Sequence, residues 1–218
     1  NMTTMSQAST IQADAQSWNI SVLYKHVKGT MPVGLAFVHD KGRFLQLIDA
    51  CLRGSSQVFF VNNPLCGFVI LIAIAYDSWY SLVFGVTGLI ASTVMAHVLS
   101  VDPGAIRAGL YGYNGLLTGL AIALFSFGDN QLPRMQMLLP AALMGGMSTI
   151  IMIAVANFTV RLFNIAPFTF PFQVASWIWM LAAQSTFLYF PLKFPAPAVA
   201  FLAEDMSAAL VGQDYAVD

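Results

Sequence analysis

The most regular feature of this chain is the spacing of its charges, which leaves long apolar stretches between them. Five stretches carry no Asp, Glu, Lys or Arg: Gly54–Tyr76, Ser78–Val101, Ala108–Gly128, Met135–Val160 and Leu162–Leu192. Each approaches or exceeds the roughly 20 apolar residues that a helix needs to cross a bilayer core. The pattern predicts membrane spans at about 64–77, 79–99, 109–127, 136–158 and 170–190. Ahead of them, 44–61 interleaves Phe44, Leu45, Leu47, Ile48, Cys51 and Leu52 with Asp49 and Arg53, an amphipathic arrangement, and then meets Asn62-Asn63-Pro64. Proline has no N–H and biases the residue before it toward extended backbone, so the helix is expected to break there. Broken backbone at membrane depth is tolerated only inside protein or along a wet cavity, so 44–61 is predicted to be re-entrant. Residues 1–43 read as a polar arm, and 193–218 as a connecting segment.

Composition sharpens this picture. Hydrophobic residues make up 58% and charged residues 9%, against about a quarter charged in soluble domains, which excludes a water-soluble fold. The net charge of −1 comes with no basic run beyond scattered Lys25, Lys28, Lys41 and Arg43, so a nucleic-acid partner is excluded as well. Those cations, with Arg53, place the N-terminal side in the cytoplasm. Residues 1–31 contain no apolar stretch of signal-peptide type. Small residues recur at Gly109, Gly112, Gly115, Gly119, Gly145, Gly146 and Ser148, where they favour close helix packing.

Candidate chemistry is sparse. Asp77, Asp102, Arg107, Asp129 and Arg161 all fall at segment ends, leaving no acid or lysine at membrane depth for a proton relay, so passive rather than coupled transport is favoured. His26, His39 and His97 are too dispersed for a metal cluster, and Cys51 and Cys66 read as small buried hydrophobes. No nucleophile motif, phosphate loop or cofactor box is present, so neither an enzyme nor a cofactor is expected. The chemistry lies instead in two proline breaks, Asn63-Pro64 and Ala166-Pro167-Phe168-Thr169-Phe170-Pro171. Because Pro167 and Pro171 cannot donate to the carbonyls four residues back, several carbonyl oxygens are expected to stay free. Asn63 and Asn114 carry amides able to satisfy backbone freed at a break.

Three strings, LRGSSQVFFVNNPLCGF at 52–68, AGLYGYNGLLTG at 108–119 and NIAPFTFPF at 164–172, together resemble the urea transporter family. The last is similar to the family's LPxxTxPF signature: Thr169, Pro171 and Phe172 match, Ile165 and Ala166 replace its Leu and first Pro, and Pro167 stands one place later. The resemblance implies an all-α integral membrane protein in which 44–192 is one half of an inverted-repeat fold, a tilted re-entrant helix plus five transmembrane helices. It also implies a homotrimer with a pore in each protomer, in the plasma membrane by preference. Carried over residue by residue, Thr169 lies at the constriction with Phe168 and Phe172 beside it. Gln57 stands near a mouth, and Phe60, Tyr113 and Leu117 wall a flat slot for urea or a similar small neutral amide. Asn63, Pro64, Asn114, Pro167 and Pro171 are expected to be structural supports.

The tail 212–218 can be laid on 56–62, which puts Gln213 on Gln57 as a second-repeat pore candidate. Two expectations follow: a truncated chain, which is favoured, or a natural half whose second half comes from a partner. A transport-inactive structural subunit of a larger membrane assembly is the competing expectation.

Overall fold

The computed structural model describes residues 29–31, 38, 42–125 and 135–184. Most of the polar arm, the ends of the third and fifth expected spans, and all of 193–218 with Gln213 lie outside the described residues. Among the described residues there is no strand. The order is α1 (Arg43–Gln57), α2 (Pro64–Asp77), α3 (Trp79–Val98), α4 (Pro103–Arg107), α5 (Gly112–Phe125), a 3-10 turn (Met135–Met137), α6 (Leu138–Phe163) and α7 (Phe170–Gln184).

Local chemistry sets these boundaries. Asn63 caps α2, its side chain accepting from Leu65 N at 2.9 Å and Cys66 N at 3.3 Å, with Pro64 at the first helical position, where its missing N–H costs nothing. Ser78 ends α2 by donating its N–H to Ile74 O and starts α3 by accepting from Ser81 N. Asp102 caps the single turn of α4 through Gly104 N and Ala105 N. The third expected span begins at Gly112 rather than Gly109, because Gly109 turns the chain with φ +74°. The fourth continues past its expected end to Phe163, where Asn164 closes it in a left-handed conformation (φ 54°).

Helix lengths differ from the sequence count of five crossings. Trp79–Val98 and Met135–Phe163 are the two helices, among the described residues, long and apolar enough to cross a membrane; Pro64–Asp77, Gly112–Phe125 and Phe170–Ala183 are apolar but shorter. Pro64 sets the start of α2 and the Gly109 turn delays the start of α5, while α5 and α7 are described as far as Phe125 and Gln184. α1, with 15 residues, rises about 22 Å at 1.5 Å per residue and falls short of the roughly 30 Å hydrocarbon core.

Burial is reversed relative to a soluble bundle. α6 buries Pro140, Ala141, Gly145, Gly146, Ser148 and Thr149 while exposing Leu139, Leu143, Met147 and Ile150. Small and hydroxyl residues inside, with large apolar ones outside, is the arrangement a lipid solvent favours. Phe84, Ile122, Ala123, Met137, Ala141, Trp179 and Ala183 form the core where α3, α5, α6 and α7 meet. Beside it the backbones of three helices touch at Gly88: a Cβ there would overlap Gly115 O of α5, and a Cβ on Gly145 of α6 would lie 2.7 Å from Gly88 Cα. Thr149 Oγ1 donates to Ser92 O at 2.9 Å across the same seam.

Gly88→Ala is therefore expected to lower stability by about 1–3 kcal/mol, the usual cost of overpacking. Thermal unfolding of the purified protein in detergent micelles checks this, and an unchanged midpoint would show that the seam has slack.

Candidate functional site

The end of α1 is built by a closed hydrogen-bond pattern. Val61 N donates to Ser56 O at 3.2 Å and Phe60 N to Gln57 O at 2.9 Å, the two bonds of a Schellman closure. The helix thus stops at Gln57, before the expected Asn62-Asn63-Pro64 break. The position where such closures favour glycine is occupied by Phe60, at φ 57°. The Ser56 hydroxyl bonds to Val61 O and receives Asn63 N at 3.2 Å.

Arg53 organises this turn from beneath. It is 1% exposed and pairs through Nε with Asp49 at 2.7 Å, while Nη1 donates to Thr30 O and to Asn62 Oδ1, each at 2.8 Å. Asn63 Nδ2 reaches Gly29 O at 2.8 Å, so the short described segment 29–31 is fastened to the same turn. Gln57, expected at a pore mouth, is buried and donates Nε2 to Ala108 O at 2.8 Å, bracing the turn before α5.

The second break precedes α7. Asn114, fully buried on α5, spans it: Nδ2 donates to Phe168 O at 3.3 Å and Oδ1 accepts from Phe172 N at 3.3 Å. Tyr113 Oη also donates to Phe168 O. Pro167 O receives Phe170 N at 3.1 Å, and Thr169 O receives Gln173 N at 3.2 Å. The expected row of free oxygens around the two prolines is accordingly corrected at its most central positions: the carbonyls of Pro167, Phe168 and Thr169 are all occupied within the chain. Tyr113 and Asn114 reach across from α5 to Phe168 O, whose own i+4 donor, Phe172 N–H, turns instead to Asn114 Oδ1.

The two breaks meet through their aromatic rings. Phe60 and Phe168 pack edge to face, with centroids 5.6 Å apart and planes at 89°. Phe168 also has positive φ, 46°, so both members of the pair occupy backbone that costs a non-glycine residue on the order of 1 kcal/mol or more. Phe60 is 65% exposed and Phe168 49%, so the pair stands on an open face. Thr169, next in line, is half-buried, and among the described residues its hydroxyl has no hydrogen-bond partner, whereas Thr87, Thr93, Thr118, Thr149 and Thr159 each donate to a backbone carbonyl.

Two expected site residues are not drawn into this cluster. Leu117 lines an apolar furrow of about 650 Å³ with Val58, Phe59, Leu116 and Leu120, whose lining includes none of Phe60, Tyr113 or Thr169. Phe172 contributes its backbone N–H to Asn114. Sequence reasoning missed Arg53 as the hub of the first turn and treated it only as a topology marker. The available signal was its i, i+4 spacing from Asp49 on an amphipathic helix. Among the described residues there is no cluster of His, Cys, Asp or Glu able to hold a metal, and Cys51 and Cys66 are free thiols.

Two interrupted helices, joined by their aromatic tips and held by buried amides, are what remains once the apolar bundle is set aside. A family profile described as urea transporter matches residues 48–214. The chain belongs to the urea transporter family. It is similar to urea transporter 1 of Ovis aries, 32% identical over 172 residues, and to urea transporter 1 of Mus musculus, 33% identical over 173 residues. Urea transporter 1 of Rattus norvegicus is 34% identical over 173 residues. In each case the match covers 79% of this chain and 44% of the relative, so the chain spans less than half the length of these curated relatives. Membership makes it an integral membrane protein, in accord with the outward-facing leucines of α6.

Tyr113 and Asn114 share one acceptor, so removing either leaves Phe168 O bonded and removing both strands it. Tyr113→Phe and Asn114→Ala are each expected to destabilise the protein. The double variant should cost more than their sum by about 1–3 kcal/mol, the penalty of a buried unsatisfied group. Chemical unfolding of the four proteins in micelles measures the coupling; strict additivity would mean that the two donors do not share the carbonyl.

Proposed function

We propose that this chain forms one half of a passive, channel-like pathway for urea or a similar small neutral amide, with Thr169 as the polar contact beside the Phe60–Phe168 pair. The observation that carries the reading is the lone Thr169 hydroxyl. A threonine on a membrane helix ordinarily returns its proton to its own backbone, as Thr87, Thr118 and Thr159 do. Thr169 keeps both its donor and its acceptor capacity for something else.

Urea is flat, uncharged and strongly dipolar, and shedding its water without replacement hydrogen bonds costs several kcal/mol. The Thr169 hydroxyl can donate to the urea oxygen and accept from a urea N–H. The rings of Phe60 and Phe168 supply walls that suit a planar solute and reject a hydrated ion. With Phe168 O engaged by Tyr113 and Asn114, fewer carbonyls serve as acceptors, and a larger part of the exchange for water falls to this hydroxyl. Gln57, braced at Ala108, leaves its amide oxygen for a solute at the mouth, and Phe172 lines the approach.

Half of each ring in the pair is uncovered, so the lumen needs a facing surface. We assign that surface to a second, inverted half, in the same chain or in a partner, and place the assembly as a homotrimer in the plasma membrane. Asn63, Pro64, Asn114, Pro167 and Pro171 act as supports that hold the two breaks open. A transport-inactive structural subunit is the second reading.

Stopped-flow urea efflux from proteoliposomes separates the two. Thr169→Val is expected to lower the flux roughly tenfold, equivalent to about 1.4 kcal/mol for one lost hydrogen bond at a desolvated site, while Thr87→Val leaves it unchanged. Native flux at the level of empty liposomes would establish the inactive subunit instead. Phe60→Gly relieves left-handed backbone while deleting a wall, so it is expected to melt no lower than native yet discriminate less between urea and N,N′-dimethylurea. Retained discrimination would remove Phe60 from the pathway.

A further inference from the structure

Away from the two breaks, the foot of the bundle carries a cationic groove for which the urea pathway has no use. Two cavities adjoin there. One, of about 310 Å³, is lined by Gln46, Ala50, His97, Ser100, Ile106 and Arg107 among others. The other, of about 430 Å³, is lined by Arg43, Gln46, Leu47, Val94, His97 and Val98. They share Gln46 and His97, so they form one continuous trough between the start of α1, the end of α3 and α4. Both volumes fall within the range of about 300–1,000 Å³ typical of small-molecule sites.

The charges in this trough are of one sign. Among the described residues, neither Arg43 nor Arg107 has an ion-pair partner, and no carboxylate lines either cavity. The acids on the same elements are already engaged: Asp49 with Arg53, and Asp102 with Gly104 N and Ala105 N. His97 Nδ1 lies 2.9 Å from Thr93 O. A carbonyl only accepts, so Nδ1 carries the hydrogen, and Nε2 is left for an outside partner. Ser100 adds a hydroxyl at the rim. Two guanidinium groups and a hydroxyl make a donor set suited to a phosphate group, an acceptor without donors of its own when ionised.

The wall beside these donors is apolar. Leu47, Val94 and Val98 line the second cavity, and Val98 and Phe44 are 70% and 73% exposed at its edge of the bundle. A free phosphate ion has no use for such a wall, whereas a molecule with an anionic head and hydrocarbon tails fits both parts. The trough also lies on the side that the positive-inside rule places in the cytoplasm, where anionic lipids concentrate. We infer that this trough is a binding site for the head group of an anionic phospholipid, its phosphate held by Arg43 and Arg107 and its chains lying along Leu47, Val94 and Val98.

The test is a binding titration of the intact protein in neutral detergent micelles with phosphatidylglycerol, phosphatidylcholine and inorganic phosphate as separate probes, read by native mass spectrometry and by thermal shift. Phosphatidylglycerol is expected to bind and stabilise more than phosphatidylcholine. Arg43→Gln and Arg107→Gln should each weaken it about fivefold, the effect of one cation near an anionic lipid surface. Arg161→Gln, at the exposed end of α6, should leave it unchanged and controls for general loss of charge. If the glutamine variants fold poorly, Arg43→Lys and Arg107→Lys retain the charge and should retain the preference. Equal binding of the two lipids, or a preference that survives Arg43→Gln together with Arg107→Gln, overturns the site. Phosphate binding as strong as that of phosphatidylglycerol overturns the lipid assignment, because the apolar wall would then contribute nothing.

Discussion

A peptide group at membrane depth has no water to fall back on, and every interruption of a helix there releases N–H and C=O groups that must find partners in the protein. The described structure is organised around two such interruptions. At the first, Ser56 and Asn63 complete the bonding with residues close by in the chain. At the second, the partners come from α5, where the buried Asn114 replaces both a donor and an acceptor. Asn114 can reach the second break only if the helices that carry both stand close together.

Left-handed backbone at two non-glycine residues marks the place where the two interruptions meet. Phe60 and Phe168 both adopt left-handed backbone, although glycine would occupy either position without cost. A side chain retained against its own backbone preference signals that the ring itself is used. The edge-to-face contact between the pair explains part of that use, since it ties residues of α1's turn to the start of α7. Their exposure argues that the contact is one wall of something larger. Next to them stands Thr169, whose side chain the fold leaves without an internal partner. The carbonyls of Pro167, Phe168 and Thr169 are thus bonded within the chain, and a hydroxyl is left free beside them.

Local features of this arrangement were legible in the sequence; those created by distant residues were not. Charge spacing marked the apolar segments, and Asn63-Pro64 announced a capped helix start, because a cap and its helix are neighbours in the chain. The stop at Gln57 was hidden, since a Schellman closure normally advertises itself by a glycine and here contains Phe60. The occupied carbonyls at the second break were hidden for a different reason. The donors to Phe168 O, Tyr113 and Asn114, lie 55 and 54 residues from it, and no local pattern reports such a pairing. Arg53 looked like a marker of membrane orientation because its other partners, Thr30 O and Asn62, become neighbours only after the chain turns back. Leu117 shares the helical face of Tyr113 by spacing alone, yet the furrow it lines belongs to Val58 and Phe59.

The separation between Asn114 and its partners also orders events at the ribosome. The chain leaves the translocon with α5 ahead of α7, so the Asn114 amide enters the bilayer before Phe168 and Phe172 have been synthesised. Until α6 has threaded back and α7 has followed, that amide must hold water or a temporary companion. The first interruption, closed by its own neighbours, has no such waiting period. Biogenesis of this protein is therefore most vulnerable in the interval between α5 and α7, when a buried side chain is already in place and the backbone it was made for has yet to arrive.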